Sequence, residues 1–361
     1  MTTELALFGR ACGIGHAPIV VAELSGNHGG RLERALQMID AAADCGVDAV
    51  KIQTYRPDTI TIDCDGPGFV VESGLWAGRT LYDLYAEAHT PWEWHGALFE
   101  HAAGRGLPLF SSPFDPTAVD LLESLDCPAY KIASFELTDI GLIRRVAATG
   151  KPVILSTGMA TLDEIDEAVA VFREFSASRY LLLHCTSGYP TPLHEADLNT
   201  IPMLMARYAV PVGLSDHTPG IAAPVAAVAL GACLVEKHFT LDRGDGAVDA
   251  AFSLEPAEFR ALADACRQAW QALGAVRTGP SPIEVGQRRF RRSLYAVADI
   301  AAGESFTAAN VRSVRPAQGL HPRHLGQLTG RVAGRTIRRG EPLSWDMVAG
   351  PSTRPPEADD D

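Results

Sequence analysis

Two of the eleven histidines, His217 and His238, each follow or close a short apolar run, PVGL at 211–214 and CLVEK at 233–237. If those runs are neighbouring strands, the two imidazoles meet over one end of a sheet. Two imidazoles completed by water and a substrate oxygen suit a Lewis-acid ion with open positions, Mn²⁺ first, Mg²⁺ or Co²⁺ as alternatives. The plainer reading is two hydrogen-bonded structural histidines. Lys51 and Lys131 lie on two further strand-like runs, with hydroxyls at Ser112, Ser134, Ser156 and Ser215. Together they make a cradle for a phosphate and a carboxylate; taken singly, either lysine is equally a salt-bridge partner. Glu23, Glu136 and Asp249 supply carboxylates, any one of which fits a general base or an ion-pair partner of those lysines. Cys185 has no evident base beside it and reads as packing, as do His28, His95 and His184. There is no Walker A pattern. The GxG at Gly13–Gly15 precedes the first strand, so it is not a dinucleotide fingerprint.

Eight strand-like runs must carry these groups: 18–24, 48–53, 107–111, 128–133, 152–156, 180–184, 211–214 and 233–237. Helical patterns alternate with them at 32–45, 92–105, 117–125, 140–149, 162–175, 198–208, 221–230 and 256–273. Such alternation predicts parallel βα units. Runs like LLLH and VILS are apolar on both faces, as strands covered on both sides must be. Eight units predict an α/β chain folded as a (β/α)₈ TIM barrel, with an open doubly wound sheet as the alternative. A barrel works at the carboxyl ends of its strands, and nearly every run here ends in a polar or charged residue, which otherwise lacks a reason to sit there. The connection 54–90 between the second and third strands is long enough to serve as a lid or binding segment.

Residues 1–275 are assigned to the barrel. Residues 276–287, rich in turn formers, read as a linker, and 288–349 as a small arginine-rich domain with four β-like runs, SLYAVA, VRSVRP, RVAGRTI and EPLSWD. The acidic, proline-containing segment 350–361 reads as disordered. A net charge of −13 argues against nucleic acid, while local lysines still allow a small anion. Seven cysteines without a CxxC pair suggest a reducing compartment. No signal-peptide pattern opens the sequence, and the longest apolar stretch, Ile221–Val235, is too short for a bilayer, which needs about 20 residues. These features predict a soluble, cytoplasmic protein with no membrane partner.

Six motifs in order, VAELSGNHGG (21–30), SSPFD (111–115), YKIASFE (130–136), LSTGMAT (155–161), GLSDHT (213–218) and EKHFTLDR (236–243), resemble the sialic acid synthase family. VRSVRPAQGL (311–320) and RTIRRGEPLSWD (335–346) resemble that family's antifreeze-like SAF domain. Within the family, GLWAGRTLYDLYAEAHTPWEWH (74–95) is similar to the pseudaminate branch. The resemblance implies condensation of phosphoenolpyruvate with an amino-sugar aldehyde and water, releasing phosphate. It implies His217 and His238 as metal ligands, and Lys51, Ser112, Lys131, Ser134, Ser156 and Ser215 around phosphoenolpyruvate. Glu23 would act on water, and Gln53, Glu136, Tyr189 and Asp249 would contact the sugar. Arg315 is the candidate arginine reaching the sugar from the SAF domain of another subunit, which implies a domain-swapped homodimer. Ser187 departs from the family's usual Asn. Gly188 is smaller than expected and would enlarge the sugar pocket. Trp76, Tyr82, Tyr85, Trp92 and Trp94 offer an apolar wall suited to a 6-deoxy sugar. The alternatives are an N-acetylneuraminate or legionaminate synthase, a metal-dependent aldolase using pyruvate, and a catalytically silent carbohydrate-binding barrel.

Overall fold

The computed structural model describes residues 4–175 and 179–350; most of the acidic tail therefore lies outside the described residues. Contacts divide the chain into two units, Met1–Gly274 and Ala275–Asp361.

The first unit opens with a hairpin that the sequence reading passes over, β1 (Glu4–Leu7) and β2 (Arg10–Gly13). Its turn, Phe8-Gly9, has both residues at positive φ, as a tight two-residue hairpin requires. Leu5, Leu7 and Cys12 bury themselves in the main core, and Cys12 Sγ points to the carbonyl of Cys233, at the amino end of a barrel strand. The hairpin thus covers the end of the barrel opposite its mouth.

Eight parallel strands follow: β3 (Ile19–Glu23), β4 (Ala49–Thr54), β5 (Leu109–Pro113), β6 (Tyr130–Ile132), β7 (Val153–Ser156), β8 (Tyr180–Cys185), β9 (Val212–Asp216) and β10 (Leu234–His238). β10 pairs with β3, which closes the barrel. Each strand begins and ends within 2 residues of its predicted bounds. Side chains alternate across the wall. On β4, Val50 and Ile52 join the apolar layer shared with the helices Leu32–Asp44 and Pro256–Leu273. Ala49, Lys51 and Gln53 therefore share the other face. The helices start at recognisable caps: Asp115 accepts from Thr117 N and Ala118 N with Pro116 at the first turn, and Thr161 with Glu164 forms a capping box. Pro91 introduces a 3₁₀ turn, Trp92–Trp94, and the α-helix proper runs His95–Gly104. Gly213 on β9 permits a close approach: a Cβ there would lie 2.4 Å from the carbonyl oxygen of Leu234.

In the second unit only two of the four predicted runs become a paired ladder among the described residues, β11 (Ser293–Ala296) and β12 (Val311–Val314), antiparallel. The other two are held by isolated bridges, such as Ser305 with Val332 and Ala333 with Val348. They pack a small core of Leu294, Ile300, Phe306, Ile337 and Leu343 without continuous pairing. The predicted linker is not featureless: it carries a capped helical turn, Pro282–Val285, and a 3₁₀ segment, Gly286–Phe290.

Candidate active site

The mouth of the barrel gathers a buried charge cluster around Glu236. Its Oε1 accepts from Lys51 Nζ at 2.9 Å, Lys131 Nζ at 3.2 Å and Ser215 Oγ at 3.3 Å. Lys51 Nζ also lies 3.3 Å from Glu23 Oε2 and donates to Ser112 Oγ at 3.4 Å. Each of these six side chains is at least nine-tenths buried. They come from β3, β4, β5, β6, β9 and β10, whose register brings Glu23 beside Lys51 and Lys237 beside Asp216.

The charge balance favours an anion. Burial would raise Glu236, yet Lys131 and Lys51 hold it down to about 2. Burial pushes Glu23 up to about 7, with Lys51 offsetting part of that rise. Lys131 is lowered by burial, which Glu236 only partly offsets. Lys51, facing two carboxylates, is carried above the ordinary lysine range despite its burial. Near neutral pH Glu236 is therefore ionised between the two lysines, while Glu23 beside Lys51 is close to its midpoint. Ser156 Oγ and Glu236 Oε2 are buried without a hydrogen-bond partner. Ser134 Oγ accepts from the amide of Gly158 at 3.2 Å. A Cβ at Gly158 would lie 2.4 Å from Ser187 Oγ and 2.7 Å from Ser134 Oγ, so glycine keeps the amide close to both hydroxyls.

Next to this cluster the rings of His217 and His238 lie 5.3 Å apart, centroid to centroid. His217 Nδ1 lies 3.0 Å from the carbonyl oxygen of Thr186, which leaves Nε2 available. His238 Nδ1 is buried with no hydrogen-bond partner, 4.0 Å from Asp249 Oδ2. Burial, with His217 and Lys51 nearby, lowers the His238 pKa well below the usual histidine value. A neutral imidazole is the form that binds a metal. No cluster of three or more His, Cys, Asp or Glu suited to a metal occurs among the described residues. The donor set is therefore two imidazoles with Asp249 nearby, which fits an ion that keeps positions open for water and substrate. Cys185, read from sequence as packing, touches this pair. Its Sγ is 3.9 Å from His217 Nδ1, and that contact draws the thiol down to about 7 although burial opposes it.

A family model for the NeuB family matches residues 38–278, and one for the SAF domain matches 291–349. The chain belongs to the NeuB family. A pseudaminic acid synthase of Campylobacter jejuni is 47% identical over 90% of this chain and 94% of its own length. One of Helicobacter pylori is 41% identical over 92% and 98%. Among solved structures, the N-acetylneuraminic acid synthetase of Leptospira borgpetersenii superposes with a TM-score of 0.71 at 33% identity, covering 80% of this chain and 95% of that one.

In this NeuB-family barrel the remaining predicted residues divide clearly. Gln53 Nε2 donates to Glu23 Oε1 at 2.9 Å and to Ser25 Oγ at 3.2 Å, and Ser25 Oγ donates to Asp249 Oδ2. Glu136 Oε2 is buried without a partner, and burial pushes that carboxyl up to about 7. Tyr189 lies on His217, 4.4 Å between centroids. Arg315 belongs to the second unit, just beyond β12, and is exposed.

Several expectations need correction. Of the five aromatic residues offered as a wall, Trp76 contacts Tyr189. Trp92 instead bonds to the Tyr55 carbonyl oxygen under Arg56, and Trp94 packs on His28 and the outer core. Gly188 does not open toward free space: a Cβ there would meet Thr191 Oγ1 at 3.0 Å.

Glu236, Ser25 and Phe252 were missed as site residues. The signal for Glu236 was present in the EKH triplet, because residues two apart on a strand share a face. Glu236 therefore goes in with His238, and Lys237 goes out.

Proposed function

We propose that the chain condenses phosphoenolpyruvate with the open-chain form of 2,4-diacetamido-2,4,6-trideoxy-L-altropyranose and water, giving pseudaminic acid and phosphate. The observation that carries this reading is the meeting of Lys51 and Lys131 on one side of the mouth with the paired imidazoles of His217 and His238 beside them. Supporting the choice of sugar, identity reaches 47% with the Campylobacter jejuni pseudaminic acid synthase, against 33% with the Leptospira enzyme named for N-acetylneuraminate.

In this mechanism Lys51 and Lys131 leave Glu236 in part to hold the phosphate and carboxylate, with Ser112, Ser134, Ser156 and Ser215 completing the cradle. Carbon 3 of the enol attacks the aldehyde carbon, forming the new C–C bond, and the aldehyde oxygen takes a proton to become a hydroxyl. Glu23, oriented by Gln53, takes a proton from the water that adds at carbon 2. The tetrahedral centre then loses phosphate: the C2–O(phosphate) bond breaks as the C2 hydroxyl becomes the carbonyl, and the hydroxyl proton leaves with the phosphate. His217 and His238 would hold a divalent ion, Mn²⁺ by preference, which when bound would supply Lewis-acid polarisation. Gln53, Glu136, Tyr189 and Asp249 line the sugar side.

The working unit in this reading is a homodimer in which Arg315 of one subunit reaches the sugar of the other. The setting is cytoplasmic, and among the described residues no helix is long and apolar enough to cross a membrane.

The test is a parallel assay of candidate sugars with phosphoenolpyruvate and Mn²⁺, following both phosphate and the sugar acid. The expected result is strong preference for the 6-deoxy diacetamido sugar, stoichiometric phosphate, and loss of turnover in EDTA that Mn²⁺ restores. Preference for N-acetylmannosamine, or C–C bond formation without phosphate release, overturns it. In the same assay, confirmed mixed dimers of Arg315→Ala and His217→Ala subunits regain part of the activity if the arginine acts across subunits.

A further inference from the structure

The connection between β4 and β5 is no slack loop at its centre. Residues 69–81 form a bonded arm: Val71 N–H donates to Arg79 O at 2.9 Å, Gly78 N–H to Val71 O at 2.8 Å, and Leu81 N–H to Phe69 O at 2.8 Å. Trp76 sits at its tip between exposed neighbours, Leu75 and Ala77, yet is itself half-buried. Its ring lies 6.0 Å from Tyr189 and 6.4 Å from Phe252. Those two rings lie in turn on His217, at 4.4 Å, and His238, at 4.9 Å. An aromatic wall thus runs outward from the imidazole pair and ends at Trp76. The indole has a single polar atom, and it is already engaged: Nε1 donates to the carbonyl oxygen of Val248 at 3.1 Å, next to Asp249.

We propose that Trp76 selects the sugar at its sixth carbon, accepting a methyl group and rejecting a hydroxymethyl group. The inference rests on the synthase reading above, in which the aldehyde carbon lies at the imidazoles, so that the far end of the sugar chain points along the wall. A methyl group against Trp76 and Phe252 loses nothing on leaving water. A hydroxyl group there finds no free donor or acceptor on either of these two rings, because the indole N–H is committed, so it gives up water with no replacement from them. Apolar pockets reject an added hydroxyl by about 10²-fold, which sets the scale of selectivity to look for.

The experiment compares kcat/KM for the 6-deoxy sugar and for its 6-hydroxy counterpart of the same configuration, each with phosphoenolpyruvate and Mn²⁺. Wild type, Trp76→Phe and Trp76→Ala are measured. Because the readout is a ratio within one preparation, a lower fraction of active enzyme cancels. Wild type is expected to favour the 6-deoxy sugar by about 10²-fold. Trp76→Phe keeps most of that ratio, and Trp76→Ala loses at least tenfold of it with the KM for phosphoenolpyruvate unchanged. An unchanged ratio in Trp76→Ala, or an equal fall for both sugars, overturns the inference and leaves the synthase reading standing. A wild-type protein inert toward both sugars refutes the synthase reading itself, a separate outcome.

Discussion

β9 and β10 carry two buried ionic clusters on opposite faces of the same pair of strands, and the two are built differently. On the outer face Lys237 pairs with Asp216 one to one. Asp216 also accepts from Thr218 N at 3.1 Å and from Thr218 Oγ1 at 3.2 Å, and Lys237 donates to the Thr218 carbonyl oxygen. No side-chain atom of either residue is among the unpartnered buried ones. On the inner face two lysines share one carboxylate oxygen, and Glu236 Oε2, Ser156 Oγ, His238 Nδ1 and Glu136 Oε2 are buried without partners. Burying unpaired polar groups costs stability. The outer cluster is closed and holds the turn carrying His217. The inner one keeps capacity for a ligand's charge and hydrogen bonds. Burial alone does not separate a structural ion pair from a binding site; incomplete pairing does.

The contrast can be broken most directly at Lys237. Lys237→Met strands Asp216 as a buried, unpaired charge and is expected to cost about 3–5 kcal/mol of folding stability, measured by urea unfolding. The double variant Lys237→Met, Asp216→Asn should recover most of it. At the inner cluster, Lys131→Ala leaves Glu236 still paired with Lys51. The expected loss is instead catalytic, about 10²–10³ in rate, or about 2.7–4 kcal/mol in the transition state, with a much smaller change in unfolding. If Lys131→Ala unfolds as readily as Lys237→Met and keeps its rate, the two clusters do not differ as described.

A smaller effect sharpens the comparison through pH. The Glu136 carboxyl, ordinarily near 4.5, is raised to about 7 by burial. The folded state therefore holds a proton that the unfolded chain has released. Its contribution to stability is fully present below pH about 4.5 and is lost as pH rises through about 7. Its size is of order 3 kcal/mol, from the rise of 4.5 to about 7 at about 1.36 kcal/mol for each pH unit. Urea midpoints of wild type should fall across that window, and those of Glu136→Gln should be flatter. Glu236 works in the opposite sense, since its stabilisation is lost only as pH falls toward about 2. Parallel pH curves for wild type and Glu136→Gln would remove Glu136 from the set of buried, unpaired acids.

The barrel was legible because a parallel strand covered on both faces leaves an uninterrupted apolar signature between turn residues. The polar residues ending β3, β4, β9 and β10 could be read as a mouth for the same reason. The β1–β2 hairpin was not legible: four residues per strand and a Phe8-Gly9 turn leave too little alternation to stand out. The second unit's later runs looked like strands because apolar positions recur there, yet recurrence does not specify a pairing partner. Isolated bridges were enough to bury Ile337 and Leu343.

Residue types and their order along the chain determined the eight βα units, the family, and the presence of lysines, serines and imidazoles at strand ends, since these follow from local periodicity and short motifs. Tertiary structure alone decided that Glu236 sits between Lys51 and Lys131, that Asp216 and Lys237 face away from them, and that Trp76 rather than Trp92 or Trp94 meets Tyr189. Each of those outcomes depends on barrel register and on how a long connection folds back. Register and loop path are set by contacts between residues far apart in the chain, which a local reading does not contain.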